Sequence, residues 1–488
     1  MDIDGDVSHG IASTHSIFER IPLDVLYRII YFVSVQDIIR LRQVSKFLQE
    51  ITEARSIWSN AYRTTSLARR LGPFPHQSTA TLKDLLFQSA KIACNWAPNI
   101  PRPTAKHPIE VKQGDCCHSL LLGRWLMFVD ESRTQIRCFD LDSADRDCAS
   151  SIVYNNNGTP ISDFHSVSTT SVGGHDLALV IVRERPGTSM DRIKILKVLG
   201  HEGPLISFEP AQTYSISWKS TSLRSVIGPR LLVISGEQLV ICPKEVLYVD
   251  LATYQTYKMT FTVPVEHYIP THVSFISCAT HLLVLRSFLT TDNTSHTIID
   301  VFPLASANMA PKPGSLDPSH SGEWPSYFNG THLLCDPSLH SQIDDPRISF
   351  VFVSSRNIGK RFATAFYGVA HLTLSNKMIL LETQELFRQV QGQHFFICPC
   401  LNGSTRAICI SSPSFAARLF LGEGLEHAIS AITLTVDESS AVTLSTSAVK
   451  LPGMSPCAAV IGFDGNHGRI VWRTSTPHGS ILEAVDFA

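Results

Sequence analysis

The chain has 488 residues, of which 44% are hydrophobic and 17% charged, and its formal net charge is -2. Such a composition belongs to globular domains and excludes a disordered chain; at ordinary domain sizes the length makes about two or three of them. A charge this close to neutral excludes a chain-wide attraction to nucleic acid, which needs concentrated Lys and Arg. No run of about 18 consecutive apolar residues is present to cross a membrane.

The first residues, Met-Asp-Ile-Asp-Gly-Asp, are acidic and lack the basic start and apolar core of a signal peptide, so a cytosolic or nuclear protein is expected. In a reducing compartment the 12 cysteines, which recur at no fixed spacing, are expected as free thiols packed in strands. Cys and His show no zinc-finger spacing, and neither a metal nor another cofactor is expected. Asn157-Gly158-Thr159, Asn329-Gly330-Thr331 and Asn402-Gly403-Ser404 fit the glycosylation pattern, but without secretion they read as Asn-Gly turns.

In chain order, residues 1–16 are polar and read as a mobile lead-in. Residues 21–48 then run Ile-Pro-Leu-Asp-Val-Leu-Tyr-Arg-Ile-Ile-Tyr-Phe-Val-Ser-Val-Gln-Asp-Ile-Ile-Arg-Leu-Arg-Gln-Val-Ser-Lys-Phe-Leu. Pro22 suits a first helical position, where a missing N–H removes no hydrogen bond. Apolar residues at 22, 26, 29, 30 and 33 form a stripe at helical spacing. Ser34 followed by Asp37 predicts a capped second helix, which repeats the pattern at Ile38, Leu41, Val44 and Leu48. Two helices this short cannot bury all their apolar surface on each other. The residues alone allow a hairpin packed on the rest of the chain or a module that covers its stripe with a partner.

The ordered positions of this segment resemble the F-box family. Pro22 and Asp24 stand where the family has its Pro and its acidic residue, and Leu26, Ile29 and Ile30 fill the next apolar slots. Asp37, Ile38, Leu41, Arg42, Val44 and Ser45 match the second helix, and Trp58 follows. Ile21 in place of the usual Leu, Val25, and Leu48 in place of a common aromatic are mild departures. The resemblance spans residues 17–62. It implies docking on the Skp-type adaptor subunit of a cullin–RING (SCF-type) ubiquitin ligase, and through it on a cullin. Ile21, Pro22, Leu26, Ile30, Ile38, Leu41 and Val44 are the candidate contacts, and sequence does not sort those facing the adaptor from those facing the local core.

Residues 63–111 read as a linker. A helix is predicted at 81–96, with Leu82, Leu85, Leu86, Ile92, Ala93 and Trp96 on one face and Thr81 with Asp84 as its cap. Pro98, Pro101, Pro103 and Pro108 follow, marking a stiff connection or a boundary. From 112 to 488 short β-rich runs succeed one another, among them Ser119–Leu122, Trp125–Val129, Ile136–Leu141, Leu177–Val182, Ile193–Leu199, Leu231–Ile234, Val246–Leu251, His281–Leu285 and Thr297–Leu304. The main candidate helix within this region is Ile379–Val390.

A faint repeat joins Phe139-Asp140-Leu141 to Val249-Asp250-Leu251, with Ile195–Leu199, Ile299–Leu304, Ala370–Leu374, Ile432–Val436 and Glu483–Phe487 in corresponding places. It predicts an α+β multidomain chain: a small helical module and linker helix, then an all-β domain. The β-domain is expected as a β-propeller of about seven blades, each closed by the recurring strand; the alternative is two β-sandwiches. Residues 305–346, rich in Pro, Ser, Asp and His, are expected as a loop on one face. The final blade is expected to be completed by a strand near Ile109–Lys112 or Ser119–Leu122.

Neither a Gly-x-Ser-x-Gly elbow nor a phosphate-binding loop occurs, so no catalytic residue is nominated. The function expected from the resemblance is recruitment of a protein target, of unknown identity, by the β-domain. A non-ligase F-box scaffold and a propeller enzyme are the alternatives, and neither nucleic acid nor membrane is expected as a partner.

Overall fold

Three serines punctuate the N-terminal part. Ser34, Ser45 and Ser78 each accept, through Oγ, the backbone N–H three residues further on, and so start α2 (Val35–Val44), α3 (Lys46–Ile51) and α5 (Thr79–Trp96). Between them lie α1 (Leu23–Tyr31), which begins after Pro22, and α4 (Arg55–Thr64). The cap of α5 is therefore Ser78; Thr81 supplies the N–H it accepts. The structure is a computed structural model. It describes residues 17–65, 67–69, 72–97, 101–111, 119–143, 150–172 and 175–184, then the strands from 191 to 487 with residues 200, 205–206, 318–319, 451, 458, 465–468 and 487. The expected lead-in at 1–16 lies outside the described residues.

The helical core gathers Leu26, Ile30, Ile38, Ile57, Trp58 and Leu82. Trp58 donates from Nε1 to the Thr52 carbonyl at 2.5 Å, meets Phe87 edge-on at 5.6 Å, and lies under the Arg42 guanidinium at 5.8 Å. Glu53 binds both Lys83 (2.5 Å) and Arg42 (2.7 Å), tying α5 to α2. The hydrogen bond from Lys83, then that from Arg42, holds the Glu53 carboxyl below the usual range.

The β-rich runs form seven antiparallel units of four strands, taken in chain order. Unit I is β2 (Ser119–Leu122), β3 (Trp125–Val129), β4 (Gln135–Asp140) and β5 (Ser151–Asn155). Unit II is β6 (Ile161–Val172), β7 (His175–Glu184), β8 (Asp191–Leu199) and β9 (Ser207–Ile216). Unit III is β10 (Thr221–Ser225), β11 (Leu231–Gly236), β12 (Glu245–Asp250) and β13 (Thr256–Thr260), with the two-residue β17 (Ser315–Leu316) added in parallel at its edge. Unit IV is β14 (Ile269–Ser277), β15 (His281–Leu289), β16 (Ser295–Pro303) and β18 (His320–Trp324). Unit V is β19 (Asn329–Cys335), β20 (Arg347–Ile358), β21 (Phe362–Ser375) and β22 (Met378–Val390), joined to unit IV through one parallel pair, Ser321 with Met378. Unit VI is β23 (His394–Cys398), β24 (Ser404–Ser411), β25 (Ala428–Val436) and β26 (Val442–Val449).

Unit VII combines β27 (Ala459–Asp464), β28 (Arg469–Thr476) and β29 (Gly479–Asp486) with β1 (Ala105–Val111), which pairs antiparallel to β29 in the register Ile109 to Leu482. First strands adjoin at five of the junctions: β2 lies beside both β6 and β27, β6 beside β10, β14 beside β19, and β23 beside β27, while β19 lies beside β24. This is a propeller-like arrangement whose last unit is completed by the first strand of the domain and adjoins unit I, and it displaces the two-sandwich alternative.

Several expectations are corrected. The β-domain starts at Ala105 and not at 112, and Pro108 lies inside a strand; β1 is the outer strand of its unit, the position in a sheet that tolerates Pro. Ser119–Leu122 opens unit I and does not complete unit VII. The segment 305–346 contributes β17, β18 and all of β19, so its described part is strand as well as connection. Ile379–Val390 is strand β22 and not a helix: Ile379 and Leu381 pack on the core while Leu380 between them faces solvent, a period of two. Asn157-Gly158 is a turn, with φ of 50° and 80°, whereas Asn329-Gly330 begins β19; Asn402-Gly403 lies outside the described residues.

The repeat marks third strands. Its described positions lie on β4, β8, β12, β16, β21, β25 and β29 or, for Leu141 and Phe487, directly after them, and a fourth strand completes each unit. In units I, IV and VII the recurring Asp has a partner in the second strand or the residue just before it. Asp140 binds Arg124 (2.8 and 2.5 Å), buried Asp300 binds Arg286 (2.8 Å) and Asp486 binds Arg469 (2.5 and 2.8 Å). Unit II exchanges the signs, with Glu184 on the second strand and Lys194 on the third. Such cross-strand pairs fix register.

Candidate functional site: the exposed face of the helical module

The α1 helix has two apolar sides. Leu26 and Ile30, with Val33 beyond, turn inward. Pro22, Val25, Ile29 and Phe32 recur three and four residues apart on another side and remain exposed, Phe32 at 92%. Leu23 and, at the end of α2, Val44 are exposed as well. An apolar row of this kind on a small domain marks a contact surface. Beside Phe32 opens a cavity of about 690 Å³ lined by Arg28, Tyr31, Ser34, Asn60 and Thr64.

The support beneath this face is specific. Asn60 of α4 donates to the Tyr31 carbonyl at 3.0 Å, pinning the end of α1. Ser34 caps α2 and also donates to the Asp37 carboxylate at 2.7 Å; that bond first, and the one from Arg40, hold the exposed Asp37 carboxyl below its usual range.

The seven residues nominated from sequence are divided by this geometry. Pro22 and Val44 are exposed, Ile21 and Leu41 half-buried. Leu26, Ile30 and Ile38 are buried in the local core at 3%, 2% and 0%, so none of these three side chains is available at the surface. The apolar stripe read from the sequence merged both sides of α1, and the inward side faces α4 and α5. Leu23, Val25, Ile29 and Phe32 were not nominated. The alternating three- and four-residue spacing of 22, 25, 29 and 32 is the signal that separates them from 26, 30 and 33.

Outside this face, the described residues contain no group of three or more His, Cys, Asp or Glu side chains able to hold a metal ion. Cys138 is buried in β4, where loss of hydration pushes its thiol pKa up, and Cys94 is exposed on α5. No described helix is long and apolar enough to cross a membrane.

The family model for F-box-like domains matches residues 18–64. Among curated proteins none matches the chain. Similar solved structures include the WD40 domain of SCAP from fission yeast, at 9% identity over 79% of this chain and 82% of that one, with a TM-score of 0.36. Another is an S. cerevisiae complex of Dbp5 with Nup159 and Gle1, at 12% identity over 79% and 95%, TM-score 0.33. A third is a Synechocystis apocarotenoid oxygenase variant, at 9% identity over 70% and 72%, TM-score 0.34. Scores below 0.5 do not establish a common fold, and the arrangement of the seven units rests on their own pairing. Residues 18–64 are an F-box-like domain, and a propeller-like all-β domain follows it in the chain.

Proposed function

We propose that the protein is a substrate-recruiting subunit of an SCF-type cullin–RING ubiquitin ligase. The observation that carries the reading is the exposed row Pro22, Val25, Ile29 and Phe32 on the F-box-like domain, which supplies an apolar surface for the Skp-type adaptor. Through the adaptor the chain joins a cullin, while the propeller-like domain holds a target protein. The contribution to ubiquitin transfer is geometric: the target's lysines are kept at high effective concentration near the ubiquitin-carrying enzyme, and this chain supplies no reacting group. The reading requires a cytosolic or nuclear location.

Co-purification of the tagged full-length protein tests it. Recovery of the adaptor together with a cullin is the expected outcome. Recovery of the adaptor without a cullin favours a non-ligase scaffold, and recovery of neither refutes docking.

A further inference from the structure

The α5 helix belongs to two cores at once. Up to Ala90 it sends Leu82, Leu86 and Ala90 into the helical core with Leu26, Ile30 and Trp58. Its second half sends Ile92 and Trp96 into the propeller, against Ile470, Trp472, Val485 and Phe487 of the closing unit and Ile429 of unit VI. The polar contacts at this seam are directed. Asn95 donates from Nδ2 to the Phe487 carbonyl (2.8 Å) and to the Arg102 carbonyl (2.6 Å), and accepts from the Arg102 N–H (2.9 Å). Buried Arg406 reaches from β24 to the Ser89 carbonyl on α5 (3.3 Å) and to the Gly465 carbonyl between β27 and β28 (2.7 Å). The Phe487 N–H donates to the Gly468 carbonyl at 2.8 Å, and the Thr104 N–H to the Asp486 carbonyl at 2.8 Å. The residues that close the ring are therefore the ones that grip α5.

The rest of the helical module, α1 to α4, is too small to sustain a core of its own. Its core is completed by Leu82 and Leu86, whose helix is positioned by unit VII. We propose that ring closure and the integrity of the docking face form one cooperative unit: opening unit VII releases α5 and loosens α1–α4, so that an F-box-like domain on an unclosed propeller is not competent to dock. A target or a lesion acting on unit VII then changes the docking face without touching it. The docking consequence rests on the function proposed above; the structural coupling does not.

The test is hydrogen exchange on the full-length chain, comparing the parent with Asn95→Ala, Phe487→Ala and, as a control in unit II far from α5, Leu196→Ala. Asn95→Ala removes polar contacts and keeps the apolar ones, and is expected to speed exchange of α1–α4 amides by about fivefold; Phe487→Ala is expected to do more. Leu196→Ala is expected to loosen unit II and leave α1–α4 within about twofold of the parent. Where Phe487→Ala yields no folded chain, Asn95→Ala decides. Unchanged α1–α4 exchange with faster exchange in unit VII would overturn the coupling, as would equal loosening of α1–α4 by Leu196→Ala. Adaptor affinity is measured in parallel on the same proteins. An adaptor that binds neither parent nor variants refutes the docking reading alone, because the exchange measurement contains no adaptor.

Discussion

Replacing Ile29 and Ile38 by Asp, one at a time, separates the outer side of α1 from the inner core. Ile29 is 50% exposed and Ile38 is 0% exposed. Full burial of an isoleucine is worth about 2 kcal/mol, so covering the remaining half of Ile29 on docking contributes about 1 kcal/mol. An aspartate there also has to shed its hydration without a partner, at about 2 kcal/mol or more. Together these weaken adaptor binding by about 3 kcal/mol, roughly 150-fold, while folding stability changes by about 0.5 kcal/mol or less, as for other surface substitutions. At Ile38 the same substitution places an unpaired charge in the core, and a loss of about 4 kcal/mol or more is expected. Titration calorimetry with purified adaptor, beside thermal melts followed by circular dichroism, reads both quantities. Parental affinity for Ile29→Asp would remove the exposed row from the docking surface, and a parental melt for Ile38→Asp would refute the division of the helix.

Three further outcomes are expected. Arg469→Met deprives the largely buried Asp486 of its two Arg469 contacts, leaving His107 at 3.3 Å, and leaves Asp142 with Arg124 at 4.0 Å; chemical denaturation is expected to show a loss of about 3 to 5 kcal/mol, and a loss near zero would refute an ion-held closure. Gly468 has φ of +61°, and a Cβ there would stand 3.0 Å from Ile92 Cγ1, whereas Gly158 has φ of +80° with nothing within 4 Å; Gly468→Ala is expected to lower the melting temperature more than Gly158→Ala, and equal shifts would remove the crowding argument. Glu53 has a lowered carboxyl pKa, so its contribution is fully present above the unfolded value of about 4.3 and is lost as pH falls through the lower folded value. Glu53→Gln is therefore expected to be less stable than the parent at neutral pH and to converge with it in acid, by a small margin because the carboxyl is half-exposed; urea midpoints at both pH values decide.

What was legible in the sequence depended on how local the cause was. The Ser34 cap, the helix ending at Trp96 and the strands at Ser119–Leu122 and Trp125–Val129 follow from periodicity and short-range hydrogen bonding, and the structure has them. The repeat is legible as a spacing but not as a position in the unit, because Asp140, Asp300 and Asp486 are explained by arginines on or just before a neighbouring strand. The apolar residues of Ile379–Val390 fit both the helix and the strand period, and pairing with β21 selects the strand. Sorting Ile29 from Ile30 needs the location of α4 and α5, which no window around residue 30 contains. The same holds for β1: Pro-rich sequence argues against regular structure until Gly479–Asp486 is placed beside it.

The double membership of α5 has a geometric consequence. With 18 residues the helix is about 27 Å long, and each residue turns it by about 100° and advances it by about 1.5 Å. A single residue inserted between Ala90 and Ile92 would swing the whole row of Pro22, Val25, Ile29 and Phe32 a quarter-turn or more about the α5 axis. An insertion of about seven residues, close to two full turns, would restore its heading and lift it by about 10 Å. Bearing and height are thus indexed separately by one helix, in steps that a change of length can make and a point substitution cannot.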